Sequence, residues 1–292
     1  MAVSFQRLAA VFLGGLLGAA GAFLLCGKST FPTGGELTEG IPVPGIMYHN
    51  VLPDGSEGLG EYVVSASELE GDLQLLKEAG YEGVTPEELF NFVRGVGTLP
   101  EKPVLLTFDD GFESVRELAW PLLKERKMKA VLSVVGSITE TYAENADRNI
   151  NYAYLNWDDI RELSESEEFE IQNHTYDMHS TNNSGRKGLS RKSGESPVDY
   201  ENFLKEDLSR MQNLLKKLSG VSATAVAYPY GSYSKETLGI VKELGFRSSF
   251  LCEERINRIT RSNADSLFDL GRYNRPSGRS TEDFFEKLLK RG

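Results

Sequence analysis

Three histidines, His49, His174 and His179, are the whole imidazole complement of this chain, and each sits near the end of a short apolar run. Another such run, Val104-Leu105-Leu106-Thr107-Phe108, ends in Asp109-Asp110-Gly111, and Ala225-Val226-Ala227 leads into Tyr228-Pro229-Tyr230-Gly231. Two imidazoles and one carboxylate can hold a divalent metal while leaving positions open for water and substrate. A second carboxylate beside them can act as a base. The chemistry this set supports is metal-dependent hydrolysis.

Each residue also has a plainer reading. Asp109 and Asp110 are adjacent, so in a regular strand they would face opposite ways. A following glycine lets the backbone bend and present both at a strand end, although Asp-Asp-Gly alone is an ordinary turn sequence. His174 and His179, five positions apart, stand about 140° apart on a helix and on opposite faces of a strand. They converge only on an irregular loop. Asp177, between them, is either a partner of the ligands or solvated. Tyr228-Pro229-Tyr230-Gly231 is read first as a turn with aromatic packing, with a backbone N–H for an oxyanion as its functional alternative. His49 is equally a rim histidine or a general acid.

Alternating strands and helices must position these residues. The pattern predicts a strand over Val43–Tyr48, then a helix capped by Ser67 with Glu70 as its capping-box partner and stopped at Gly80. Strand Val104–Phe108, helix Glu113–Lys127 and strand Ala130–Val135 follow. Asn156 caps a short helix beginning at Trp157, and strand Phe169–Gln172 delivers His174. Ser180 to Pro197 reads as a solvated, mobile loop. A helix over Tyr200–Leu218, strand Ala223–Ala227, helix Lys235–Leu244 and strand Arg247–Leu251 complete the series. Buried strands with polar residues at their C-terminal ends predict an α/β fold, a parallel barrel with its site at one mouth.

The 292 residues suffice for one such domain, here 43–292. A net charge of −11 argues against a nucleic-acid partner. Leu8 to Cys26 is an apolar run long enough for one membrane-spanning helix. Residues 1–27 are therefore expected to be a transmembrane anchor, or else a signal peptide, with 28–42 as a tether. Either places the catalytic domain outside the cell membrane, anchored or secreted. Cys252, the one cysteine beyond that run, is expected to be an inert buried thiol.

Thr107-Phe108-Asp109-Asp110-Gly111 resembles in full the first motif of the polysaccharide deacetylases of the NodB-homology type, carbohydrate esterase family 4. The resemblance spans about residues 43 to 275. His174-Thr175-Tyr176-Asp177-Met178-His179 is one residue longer than that family's usual histidine motif, and is similar to the poly-N-acetylglucosamine deacetylase branch. Met47-Tyr48-His49 and Tyr228-Pro229-Tyr230-Gly231 match the same branch. The resemblance implies a distorted (β/α) barrel that removes acetyl groups from an N-acetylglucosamine-containing polysaccharide. It implies Asp109 as base, Asp110, His174 and His179 as ligands of a metal, zinc foremost, His49 as acid and the Tyr230 N–H as oxyanion donor. Arg272 matches an arginine of the branch and is expected either to bind substrate, with Tyr228, or to form a structural salt bridge. The chain departs from many members in having Ala227 before the third motif, both tryptophans early and no histidine after His179. Two other readings are a metal-dependent amidase on another acylated substrate and an inactive carbohydrate-binding domain.

Overall fold

The computed structural model describes residues 40–145, 147–179 and 185–289. The expected anchor or signal segment and most of the tether lie outside them. Among the described residues no helix is long and apolar enough to cross a membrane.

Seven strands form the main path of a nine-stranded sheet, to which the two-residue strands Glu82–Gly83 and Tyr273–Asn274 add at its sides: β1 (Ile41–Tyr48), β2 (Pro103–Phe108), β3 (Ala130–Val134), β4 (Phe169–Asn173), β5 (Ala225–Ala227), β6 (Ser248–Phe250) and β7 (Ile256–Ile259). Their order is β7-β1-β2-β3-β4-β5-β6, parallel throughout except that β7 runs antiparallel to the start of β1. Leu270 bridges to Phe250 of β6, and Tyr273–Asn274 pairs in parallel with Ile46 and Met47 of β1. One irregular segment thus spans the seam between the first and last parallel strands. The result is an α/β fold whose parallel sheet curls into a half-barrel, with β1 starting two residues before its predicted limit.

Strand alternation sorts the core. Leu105 packs with Val43, Val131, Ala225, Ala227 and Phe250. Val104, Leu106 and Phe108 belong to a larger cluster with the helical residues Leu69, Leu73, Leu76 and Ile160. Period-two side-chain direction therefore carries Leu105, Thr107 and Asp109 to one face of β2.

Four local differences from expectation have physical causes. Ser65, not Ser67, caps the helix Ala66–Glu78, because Ser65-x-x-Glu68 forms the reciprocal capping box while the Ser67 N–H turns to Asp54. The stretch after Asp110-Gly111 opens with a wide π turn, Val115–Ala119, before the helix Trp120–Arg126. Pro121 has no N–H, so it cannot donate a regular i−4 bond there. The helix expected from Tyr200 runs Pro197–Leu214 and ends in a second π turn. The described part of the Ser180–Pro197 loop is packed, not merely solvated. Arg186 is buried, lies 4.1 Å from the Phe203 ring centroid and pairs with Glu195, while the Leu189 N–H donates to Ser232 O.

Candidate active site

Four strand ends deliver the parts of the site. His49 follows β1, Asp109 and Asp110 follow β2, His174 follows β4 and Tyr230 follows β5. His49, Asp109, Asp110, His174, His179 and Tyr230 line one cavity of about 800 Å³. Six described non-glycine residues have positive φ, and three of them, Asp110 (74°), Thr175 (71°) and Tyr230 (61°), lie in these mouth loops. Backbone strain of this sort persists only where surrounding structure over-determines it, and it gathers at functional sites.

Asp109 is buried, and both its oxygens are taken by Arg272, Nη1 to Oδ1 at 2.8 Å and Nη2 to Oδ2 at 2.7 Å. Arg272 also donates to Leu251 O and Thr107 Oγ1, and its side chain has no exposure. Burial alone would raise the Asp109 pKa, but the Arg272 guanidinium and the His174 imidazole hold it below the usual carboxylate range. Asp109 is therefore ionised at neutral pH.

Asp110 escapes the strand alternation through its left-handed φ. Its Oδ1 lies 3.4 Å from His174 Nε2 and 3.1 Å from His179 Nε2. This buried oxygen nonetheless makes no hydrogen bond. Three donor atoms within 4.8 Å of one another around an orphaned oxygen are what a shared cation requires. Zinc–ligand bonds of about 2.0–2.1 Å in a tetrahedron put ligand atoms roughly 3.3 Å apart, so the set fits such an ion. Burial acts against ionisation of Asp110, yet the two imidazoles hold its pKa well below the usual range. His179 is shifted upward, because attraction to Asp110 overcomes its own burial.

The tautomer of His174 is fixed by its other nitrogen. Nδ1 lies 2.9 Å from Ala227 O, which can only accept, so the proton sits on Nδ1 and Nε2 keeps its lone pair. His179 is brought back by the intervening loop. The Thr175 N–H donates to Asn173 Oδ1 at 2.7 Å, and the Tyr176 and Asp177 N–H groups donate to Asp207 at 2.7 and 2.9 Å. Asp177 itself accepts from Ser137 Oγ. Tyr230 OH donates to His179 O at 2.5 Å, with ring centroids 4.8 Å apart.

His49 lies on the cavity wall, its Nδ1 buried without a partner and its ring edge-on to Tyr62 at 5.0 Å. Burial lowers its pKa, against the pull of Asp110 and Asp109. The Tyr230 N–H stands in the single 3-10 turn Pro229–Gly231, whose first N–H groups have no acceptor within the turn.

Three expectations are corrected. Tyr228 is buried among Leu204, Leu208, Ile240 and Val241, so its ring cannot touch a substrate in the cavity. Arg272 is equally inaccessible; it clamps Asp109 and does not contact substrate. Cys252, expected inside, is exposed on the cavity wall.

Two residues escaped the sequence reading. Asp207 sits on the buried stripe Tyr200, Leu204, Asp207, Leu208, Met211 of its helix. A carboxylate on an apolar helical stripe was the available signal. Asn50, beside His49, is a buried node that left no signal in the sequence.

A family model described as polysaccharide deacetylase matches residues 96–249. A poly-beta-1,6-N-acetyl-D-glucosamine N-deacetylase of Staphylococcus aureus (strain MRSA252) is 27% identical over 81% of this chain and 74% of its own length. One of the same description from Escherichia coli (strain K12) is 26% identical over 84% of this chain and 38% of its own. Among solved structures, IcaB from Ammonifex degensii is 31% identical, covering 80% of this chain and 91% of that one at a TM-score of 0.63. The Streptococcus pyogenes deacetylase PplD, solved with acetate, shares the fold at a TM-score of 0.67 and 24% identity, covering 86% of this chain and 98% of its own. The matched span exceeds half of the sequence and carries Asp109, Asp110, His174, His179 and Tyr230: the chain is an enzyme of the polysaccharide deacetylase family.

Proposed function

We propose that this chain is a divalent-metal-dependent N-deacetylase of an N-acetylglucosamine polymer, acting outside the cytoplasmic membrane. The single observation that carries the reading is the Asp110, His174 and His179 triad beside the Arg272-clamped Asp109 in one cavity. The names of the relatives favour poly-β-1,6-N-acetylglucosamine as the polymer. The apolar run from Leu8 to Cys26, outside the described residues, supports the extracytoplasmic placement.

Asp110, His174 and His179 would hold the metal, and two imidazoles with one carboxylate suit zinc. When bound, such an ion acidifies a water and polarises the acetamide carbonyl. Asp109, ionised and held by Arg272, accepts the proton of the attacking water. The Tyr230 N–H donates to the oxyanion that forms at the carbonyl. His49 protonates the departing nitrogen as the C–N bond breaks; burial makes its imidazolium a stronger acid while leaving fewer rings protonated near neutral pH. The water oxygen leaves in acetate, and the sugar keeps a free amine.

The test is acetate release from defined β-1,6-linked N-acetylglucosamine oligomers, before chelation, after it and after zinc is returned. Release should vanish with the metal and come back with zinc. Full turnover in the chelated protein would remove the metal from the reaction. Release from chitin or peptidoglycan fragments alone would reassign the polymer.

A further inference from the structure

The cavity has more room than one reacting sugar and acetyl group use, being at the upper end of the roughly 300–1,000 Å³ of ligand pockets. On the His49 side its wall carries two tyrosines, Tyr62 and Tyr152, each 51% exposed. Large aromatic rings left half in water on a cavity wall need a reason. Neither lies on a loose segment, because one buried residue, Asn50, holds both segments, one through its backbone and one through its side chain. The Asn50 N–H donates to Tyr62 O at 3.2 Å, and Asn50 Nδ2 donates to Asn151 O at 3.1 Å, next to Tyr152. Asn50 Oδ1 is in turn held by Ser114 Oγ at 2.6 Å. The Tyr152 segment is further pinned by the Tyr152 and Ala153 N–H groups, both donating to Asn149 O. Two rigid rings with their exposed area turned to the cavity suit the apolar C–H faces of a pyranose ring.

We propose that Tyr62 and Tyr152 form a stacking subsite for the sugar next to the one being deacetylated, so that the enzyme grips at least two residues of its polymer. The inference rests on the polysaccharide reading above. Because Tyr62 also touches His49, Tyr152 is the cleaner probe and Tyr62 the confirming one.

The experiment uses the full chain and β-1,6-linked N-acetylglucosamine oligomers of one to five sugars. In the wild type kcat/KM rises with length. In Tyr152→Ala the rise shrinks about 3- to 10-fold through KM, as loss of one stacked ring predicts. Tyr152→Phe restores it, since the ring and not the hydroxyl does the stacking. Tyr62→Phe keeps the length dependence and Tyr62→Leu weakens it. A Tyr152→Ala enzyme whose length dependence equals the wild type's overturns the subsite. Calorimetric titration of the tetramer into Asp109→Asn protein, with and without Tyr152→Ala, separates the two readings. Weaker binding in the double variant supports the subsite even if the wild type released no acetate. Equal binding in both refutes it even if acetate release is normal.

Discussion

Asp109 and Asp110 are chain neighbours with opposite surroundings. Asp109 keeps the strand's direction and meets a guanidinium; Asp110 adopts a left-handed φ and meets two imidazoles. Their substitutions should therefore separate. Asp110→Asn removes the anionic member of the proposed metal triad, so zinc retained after dialysis should drop sharply along with activity. Asp109→Asn should keep its zinc and lose most turnover, because the triad's geometry does not depend on that oxygen. Zinc content and acetate release measured on both purified variants check the division, and full zinc retention in Asp110→Asn would contradict it. The raised pKa of His179 adds a sign. In the metal-free protein this ring holds its proton to higher pH than a free imidazole, and a ligand must be neutral. Zinc uptake on the acid side of neutrality should release protons, seen as a heat that varies with the buffer's ionisation enthalpy, and affinity should rise with pH as the ring deprotonates. For His49→Ala, zinc binding should be normal while kcat on the amide falls by about 10²–10⁴-fold. An aryl acetate, whose leaving group scarcely needs a proton, should lose far less. Equal losses on both substrates would leave His49 a structural residue at the rim.

At the scale of elements, the one-residue-longer histidine loop depends on a helix distant in sequence. Two successive N–H groups at its apex end on the carboxylate of Asp207, which is buried on the helix Pro197–Leu214. Burial pushes that carboxyl up to about 6 despite the two N–H donors. A carboxylate whose pKa is higher folded than unfolded contributes stability below pH 3.8, and this is lost as pH rises through about 6. A rise of some two pH units corresponds to about 3 kcal/mol. Asp207→Asn keeps one acceptor and cannot ionise. It should be less stable than the wild type at pH 4, with the gap narrowing toward pH 7 in urea unfolding of the chelated proteins. A gap independent of pH would remove the linkage. The strand ends were legible in the sequence because short continuous apolar runs closed by polar residues mark buried parallel strands, and because three histidines leave few alternatives. The cap of the first helix was not, because Ser65-x-x-Glu68 and Ser67-x-x-Glu70 overlap and the Asp54 contact that breaks the tie is tertiary. Arg272 was found by sequence with substrate binding and a structural salt bridge both open, since nothing local says which carboxylate a buried guanidinium will meet; the second holds, with Asp109. Asp207 shows the same limit, because its partners lie 30 and 31 residues away.

On the scale of the whole molecule, barrel closure and the active site share one short segment. Between Leu270 and Arg275 the chain joins β6 to β1 across the seam, and its two fully buried arginines point to different layers. Arg272 reaches Asp109 at the mouth. Arg275 reaches Asp72 on the first helix, Nε to Oδ2 at 2.7 Å and Nη2 to Oδ1 at 3.1 Å, and Asp72 also accepts from Tyr48 OH and Thr281 Oγ1. The second pair thus ties β1, the first helix and the helix Thr281–Leu289 to the seam. Breaking a buried pair from one side leaves an uncompensated charge and costs about 3–5 kcal/mol. Arg275→Met should lower stability by about that amount near pH 7. Burial already raises the Asp72 pKa, so the carboxyl can protonate and the loss should shrink as the solution is acidified. Asp72→Asn combined with Arg275→Met should recover much of it, since no buried charge is then left alone. Arg272→Met should be destabilised in the same way but should also lose turnover at temperatures where it remains folded, because the proposed base, Asp109, has lost its clamp. Arg275→Met, assayed cold enough to stay folded, should keep a near-normal kcat. Urea unfolding paired with acetate release on the same preparations distinguishes the two arginines. A kcat loss in Arg275→Met as large as in Arg272→Met would mean that the seam acts on the site as a whole and not through the Arg272 clamp.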